Sequence, residues 1–206
     1  MSFNDHHLDL LLSRLFHDLI GPVSAARNGL ELVNDFSDDD IGVEAMDLVG
    51  VSVDQAVARL TFFRMAFGGA GSAAGHGFAG AQPIVREYLA SRKLEVEFTV
   101  PPSAPVAPTG MIKVMLALVA IVADSLPRGG RIAVSLESGA VQVSGDGDDA
   151  ELAFSTREAL KGEGNPEDER AILAYAAAAS AKRFGITVTV EHGTVPRLRA
   201  SHPNLV

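Results

Sequence analysis

The chain has 206 residues, 47% hydrophobic and 21% charged, enough for one or two globular domains with a real core. It carries 17 Lys and Arg against 26 Asp and Glu, a formal charge of −9 and a pI near 5.1, which argues against nucleic-acid binding through a broad basic face. The absence of cysteine excludes disulfides, thiol nucleophiles, iron–sulfur clusters and cysteine zinc sites; with no basic leader and no long apolar run, a cytoplasmic protein without membrane association is expected.

Leu8, Leu12, Leu15, Leu19, Pro22, Ala26, Leu30 and Val33 recur at spacings of three and four residues, as do Met46, Val49, Val53, Ala56, Leu60, Phe63 and Phe67. This pattern predicts two helices within residues 1–67. The acidic stretch NDFSDDD joins them, with Ser37 and Asp40 at capping-box spacing and acids suited to a helix N-terminus. So short a connection makes an antiparallel hairpin. A lone hairpin leaves one apolar face open, so a homodimer closed as a four-helix bundle is expected.

Residues 68–80, GGAGSAAGHGFAG, are nearly all small and separate two periodicities. The division is a hairpin at 1–70, a Gly-rich linker at 71–80 and an α/β domain at 81–206. In that domain a helix near 82–91 precedes a strand from Leu94 to Val100, and PPSAPVAP breaks the chain. An apolar helix follows from Met111 to Leu126, then the turn PRGG and the strands RIAVSLE and AVQVSG. Helices are predicted from Glu151 to Leu160 and from Pro166 to Arg183, the latter capped at Asn165 and stopped at Gly185. The strand ITVTVE and another from Arg197 to Ala200 complete a mixed sheet with helices on one face, a two-layer sandwich.

Chemistry concentrates in Arg14-Leu15-Phe16-His17-Asp18-Leu19-Ile20-Gly21-Pro22. At about 100° per residue His17 lies roughly 200° from Leu15, so it faces outward. A neutral imidazole is a nucleophile available near neutral pH. Asp18 is placed to orient a ring nitrogen or act as a base. Arg14, one turn earlier, is a candidate phosphoryl contact or a partner for Asp18. Gly21 and Pro22 predict a local bend one turn on. Acids cluster at 35–47 and 146–169, which leaves the His17 region, flanked by Arg14 and Arg27, locally more basic. The adjacent His6 and His7 point to different helix faces and do not form a metal pair.

The string His17-Asp18-Leu19-x-x-Pro22, followed by Ala25, Asn28, Gly29, Leu30, Glu31 and Leu32, resembles the H-box of histidine kinase dimerisation domains. The longer HDLIGPVSAARNGLELV is similar to the ChpT-type histidine phosphotransferases of alphaproteobacteria. The resemblance covers essentially the whole chain and implies a degenerate ATPase-like second domain of the GHKL type. Where such ATPases carry a magnesium-binding Asn, the stretch Ile121 to Gly130 has Ile121, with Asp124 the nearest carboxylate. Where they carry an adenine-binding Asp, this chain has Gly145, and a one-residue slip offers Asp146. Gly162 and Gly164 stand near the phosphate lid among Glu163, Glu167, Asp168 and Glu169, which would repel a triphosphate.

The resemblance therefore implies a phosphorelay carrier without ATP binding and without a cofactor of its own. His17 would take a phosphoryl group from the receiver domain of a hybrid histidine kinase and pass it to response-regulator receivers. The magnesium ion would sit on the receiver. Phe16, Ile20, Arg27 and Asn28 are the candidate receiver contacts. Two other readings stay open: an active ATP-dependent histidine kinase, and a non-catalytic receiver-binding protein.

Overall fold

The computed structural model describes residues 3–36, 40–72, 77–101, 104–137, 139–163, 169–191 and 195–205. Helix α1 spans Asp5–Asp35 and starts on a reciprocal cap. The Asn4 side chain accepts from the His7 amide at 3.0 Å, while His7 Nδ1 accepts from the Asn4 amide at 3.1 Å. The helix runs through Pro22 without a break, and Pro22 is buried. Helix α2 spans Asp40–Ala66 and packs along α1. Close approach is set at Gly29, where an added Cβ would lie 2.7 Å from Val49 Cγ2 and 3.2 Å from the Ala45 carbonyl oxygen. The expected cap at Ser37 lies outside the described residues.

The apolar series along each helix divides between two faces rather than forming one seam. Leu15, Leu19, Pro22, Ala26 and Val33 turn inward, whereas Leu8, Leu12 and Leu30 are exposed together with Phe16, Ile20 and Val23. On α2, Phe63 is buried while Met46, Val53 and Leu60 are exposed. At about 100° per residue a step of three falls about 60° short of a full turn and a step of four about 40° beyond it, so one sequence stripe spreads over a wide arc.

Helix α3 (Phe78–Leu89) begins inside the stretch expected to be linker, because Phe78 and Ala81 are buried. A short 3₁₀ turn at Ala70–Ser72 precedes it. Then follow β1 (Leu94–Thr99), α4 (Met111–Asp124), β2 (Gly130–Glu137), β3 (Ala140–Asp146), α5 (Phe154–Lys161), α6 (Glu169–Arg183), β4 (Thr187–Val190) and β5 (Arg197–Ser201). The expected element order holds, although α5 starts at Phe154 rather than Glu151. Gly185, with φ +65°, follows the end of α6; Asn165 and Pro166 lie outside the described residues.

The sheet order is β1-β2-β3-β5-β4. Strands β1 and β2 are parallel, in register from Leu94 opposite Gly130 to Thr99 opposite Ser135, with α4 as their crossover. The other pairs are antiparallel, so the sheet is mixed. Alternation along the strands buries Ile132, Val134, Val143, Leu198 and Ala200 and leaves Glu95, Glu97 and Arg131 exposed. Helix α4 is apolar on every side except at Lys113 and is buried from Met111 to Ala123.

The base of the hairpin belongs to the same core. Leu11, Phe62, Phe63, Met65 and Ala66 cluster with α3, α4 and α6 residues, and the Phe62 ring stacks on Tyr88 at 3.7 Å. The buried Lys113 of α4 donates to the Gly68 carbonyl at 2.6 Å and ties down the chain leaving α2. This docking brings α1, near His17, against the C-terminal end of α4.

Candidate functional site

His17 stands on the outer side of α1 with its side chain 82% exposed. Its Nδ1 lies 3.8 Å from Asp18 Oδ1, beyond hydrogen-bond reach but close enough for an electrostatic contact. Nε2 is thus the nitrogen on the ring edge away from Asp18. The next residue has the opposite environment, with the Asp18 side chain only 14% exposed.

Pro22 explains part of what lies beneath. A proline has no N–H, so the carbonyl four residues earlier, that of Asp18, loses its helical donor. Arg59 of α2 supplies the replacement: its Nη1 donates to the Asp18 carbonyl, and its Nη2 reaches Ser91 Oγ at 3.5 Å. The Asp18 carboxylate lies 3.5 Å from Arg14 Nη2. The same nitrogen donates to Asp124 Oδ2 at 2.8 Å. The other oxygen of Asp124 accepts from Arg92 Nη1 at 2.9 Å, and Arg92 Nη2 donates to the Tyr88 hydroxyl at 3.0 Å. The Arg92 guanidinium also lies 5.0 Å from the Tyr88 ring centroid. Burial drives the Tyr88 hydroxyl well above its usual titration range, against the opposing pull of Arg92, so it stays a neutral phenol.

The structure thus turns Arg14 toward α4, where Asp124 holds it. Arg27 pairs with Glu31 at 3.1 Å on an exposed surface. The two arginines expected to make the His17 region basic are therefore each matched by a carboxylate. Phe16 and Ile20 are exposed, at 58% and 63%. At about 100° per residue they lie between the outward apolar stripe of Leu8, Leu12 and Val23 and the face of His17. Asn28 is exposed and shares the His17 face about 16 Å farther along the helix, at about 1.5 Å per residue. Arg59, Tyr88, Ser91 and Arg92 were not singled out by the sequence. The missing donor at Pro22 signals that a replacement is needed, but only tertiary packing selects Arg59.

The stretch that the resemblance likens to a nucleotide site borders a cavity of about 440 Å³ beside the end of α4. Arg14, Ile121, Asp124, Asp149, Glu151 and Thr156 are among its lining residues. Ile121 is buried and offers no polar group. Gly145 packs against α4: an added Cβ would lie 2.7 Å from Val122 Cγ1 and 3.0 Å from Leu126 Cδ1. Asp146 is exposed at the end of β3, and strand alternation directs it away from the face that Gly145 presents to α4. Gly162 ends α5 in the left-handed conformation; Gly164, Glu167 and Asp168 lie outside the described residues.

Comparison with known proteins places these features in a family. Residues 78–194 match the family model described as the histidine phosphotransferase C-terminal domain. The protein phosphotransferase ChpT of Brucella abortus (strain 2308) is 42% identical over 129 residues, which span 62% of this chain and 59% of that protein. A solved bacterial phosphotransferase superposes with a TM-score of 0.82 at 27% identity, covering 98% of both chains. The Acinetobacter baumannii histidine kinase AdeS is far more distant, with a TM-score of 0.42 at 14% identity over 91% of this chain and 98% of that one. The chain belongs to the histidine phosphotransferase family.

Proposed function

We propose that this protein carries a phosphoryl group on His17 between aspartates of receiver domains in a two-component phosphorelay. The observation that carries the reading is the exposed imidazole of His17, with Nδ1 toward Asp18, on the hairpin of a chain in this family. The Nε2 lone pair attacks the phosphorus of an aspartyl phosphate on the donor receiver. The N–P bond forms as the P–O bond breaks, and the bonding pair leaves on the aspartate carboxylate. Nδ1 keeps its proton, and the Asp18 carboxylate favours the cationic character that develops on the ring. Transfer to the acceptor receiver reverses these steps. Positioning and charge neutralisation dominate such in-line displacements. The magnesium ion belongs to the receiver, and this chain needs no cofactor of its own.

The receiver, supplied by a hybrid histidine kinase or a response regulator, docks beside His17, with Phe16 and Ile20 as apolar contacts and Arg27 and Asn28 at the rim. Arg14 reaches the phosphoryl group only by leaving Asp124. Two copies of the hairpin pair as a four-helix bundle, which the outward stripe of Leu8, Leu12, Val23 and Leu30 on α1 and Met46, Val53 and Leu60 on α2 supports.

The α/β unit acts as a scaffold and does not bind ATP. Support comes from the buried Ile121, the filled space against Gly145 and the acids around the cavity. Incubating wild type and His17→Ala with a ³²P-labelled phospho-receiver tests the assignment. Label on wild type alone is expected. Equal labelling of both overturns the site, and no labelling of either favours a receiver-binding protein without transfer. A thermal shift with Mg·ATP is expected to be absent; a clear rise in Tm would restore the kinase reading.

A further inference from the structure

We propose that Asp124 is a positioning residue for phosphoryl transfer at His17, acting through Arg14 while Arg92 anchors it to the core. This rests on the reading of His17 as phosphoacceptor. Tyr88 is fully buried and stacks on Phe62 of α2. Its hydroxyl accepts from Arg92, and Arg92 in turn holds one oxygen of Asp124. Asp124 is the last residue of α4, a helix buried along its length, so its backbone is fixed by the core. The second oxygen of Asp124 takes Arg14 at 2.8 Å, across 110 residues of sequence. Arg14 sits one turn before His17 on α1 and shares its terminal nitrogen with Asp18, whose carboxylate faces His17 Nδ1.

This chain of contacts controls how α1 is rotated about its own axis. Hydrophobic packing against α2 alone tolerates small rotations, because the apolar arc of α1 is wide. A two-oxygen carboxylate with one arginine on each side does not. Arg59, donating to the carbonyl freed by Pro22, fixes the same turn from the α2 side. His17 projects from the far side of that turn, so the direction of Nε2 follows from the Arg14 contact. A displacement near 1 Å costs about 100-fold in an oriented transfer, so a loose turn at His17 would be read directly in rate. Asp124 therefore faces the phosphoacceptor helix.

Single-turnover transfer from a ³²P-labelled phospho-receiver tests the proposal, measured over receiver concentrations that reach saturation. The proteins are wild type, Asp124→Asn, Arg14→Gln, the double variant and His17→Ala, each checked for folding by thermal melting below its Tm. Asp124→Asn is expected to lower the maximal rate by about tenfold or more, with the half-saturating receiver concentration unchanged. The double variant should be no slower than the slower single variant, since both break one connection. A wild-type maximal rate for folded Asp124→Asn, with only Tm reduced, would reduce the contact to a structural one and overturn the proposal. Additive losses in the double variant would overturn it too. Should Asp124→Asn not fold, Asp124→Glu decides: a maximal rate that falls at unchanged half-saturation supports positioning, and an unaltered rate rejects it. Labelled His17→Ala would instead overturn the reading beneath the proposal, whatever Asp124 does.

Discussion

Helix α4 buries every residue from Met111 to Ala123, whereas the hairpin leaves Leu8, Leu12, Ile20, Val23, Val53, Val57 and Leu60 open to solvent. Outside the hairpin, Val106 and Phe154 are the exposed large hydrophobic residues among those described. The α/β unit therefore closes its core within one chain. The hairpin is closed only at its base, where Phe62 and Phe63 enter that core, and its upper part leaves an apolar face exposed. The clasp of Arg14, Asp124 and Arg92 sits at the border, where the rigid part can hold the open part in one orientation.

The largest effect should come from breaking the closed half. Leu118→Ala removes a fully buried side chain from α4 and should cost about 2–5 kcal/mol, read as a lower urea midpoint at unchanged slope. Leu12→Ala, measured at monomer dilution, should cost far less. Equal losses at the two positions would erase the contrast between the regions. Gly145→Asp comes next. It forces a side chain against Val122 and Leu126, so overpacking should cost about 1–3 kcal/mol, with further loss from burying a carboxylate. Although it supplies the Asp that the resemblance to GHKL ATPases calls for, it should gain no thermal shift with Mg·ATP; a gain would show that a nucleotide pocket is formed.

The order of elements was legible because each depends on local pattern. Alternation of apolar and polar residues marked the strands, the apolar run marked α4, and spacing marked the two long helices. The start of α3 was not, because glycines around Phe78 read as linker until the core claims the aromatic ring. His17 was legible with its exposure, since helix arithmetic needs no partner. The pair of Arg14 with Asp18 was legible from its one-turn spacing, but the pair of Arg14 with Asp124 was not: it spans 110 residues, and no local pattern encodes that distance. Pro22 is intermediate. It announced a disturbed turn, and the fold repaired the turn with Arg59 instead of ending the helix.

A smaller stability effect is expected on the open half. Leu12→Ser combined with Val53→Ser changes exposed side chains, so monomer stability should move by no more than about 0.5 kcal/mol per site. Sedimentation should nevertheless show loss of the dimer proposed for this face. A large fall in monomer stability, or a dimer that survives, would mean that the outward stripe is not the surface that completes the hairpin.

The remaining effect is a pH dependence at Lys113, where the two halves are tied at Gly68. Burial, assisted by the positive field of Arg183, lowers its ammonium from the ordinary 10.5 to about 8. Between those values the unfolded chain holds a proton that the folded chain does not, so stability rises with pH across the window and is flat for this group below it. Tyr88 acts in the other direction: its raised value means that above about pH 10 the unfolded phenol ionises first, and stability falls. The net rise is therefore confined to roughly pH 8 to 10. Urea denaturation of wild type and Lys113→Met over that range should show the rise only in wild type. Parallel pH profiles would mean that Lys113 titrates alike in both states, and that its bond to the end of α2 is solvated rather than part of the closed core.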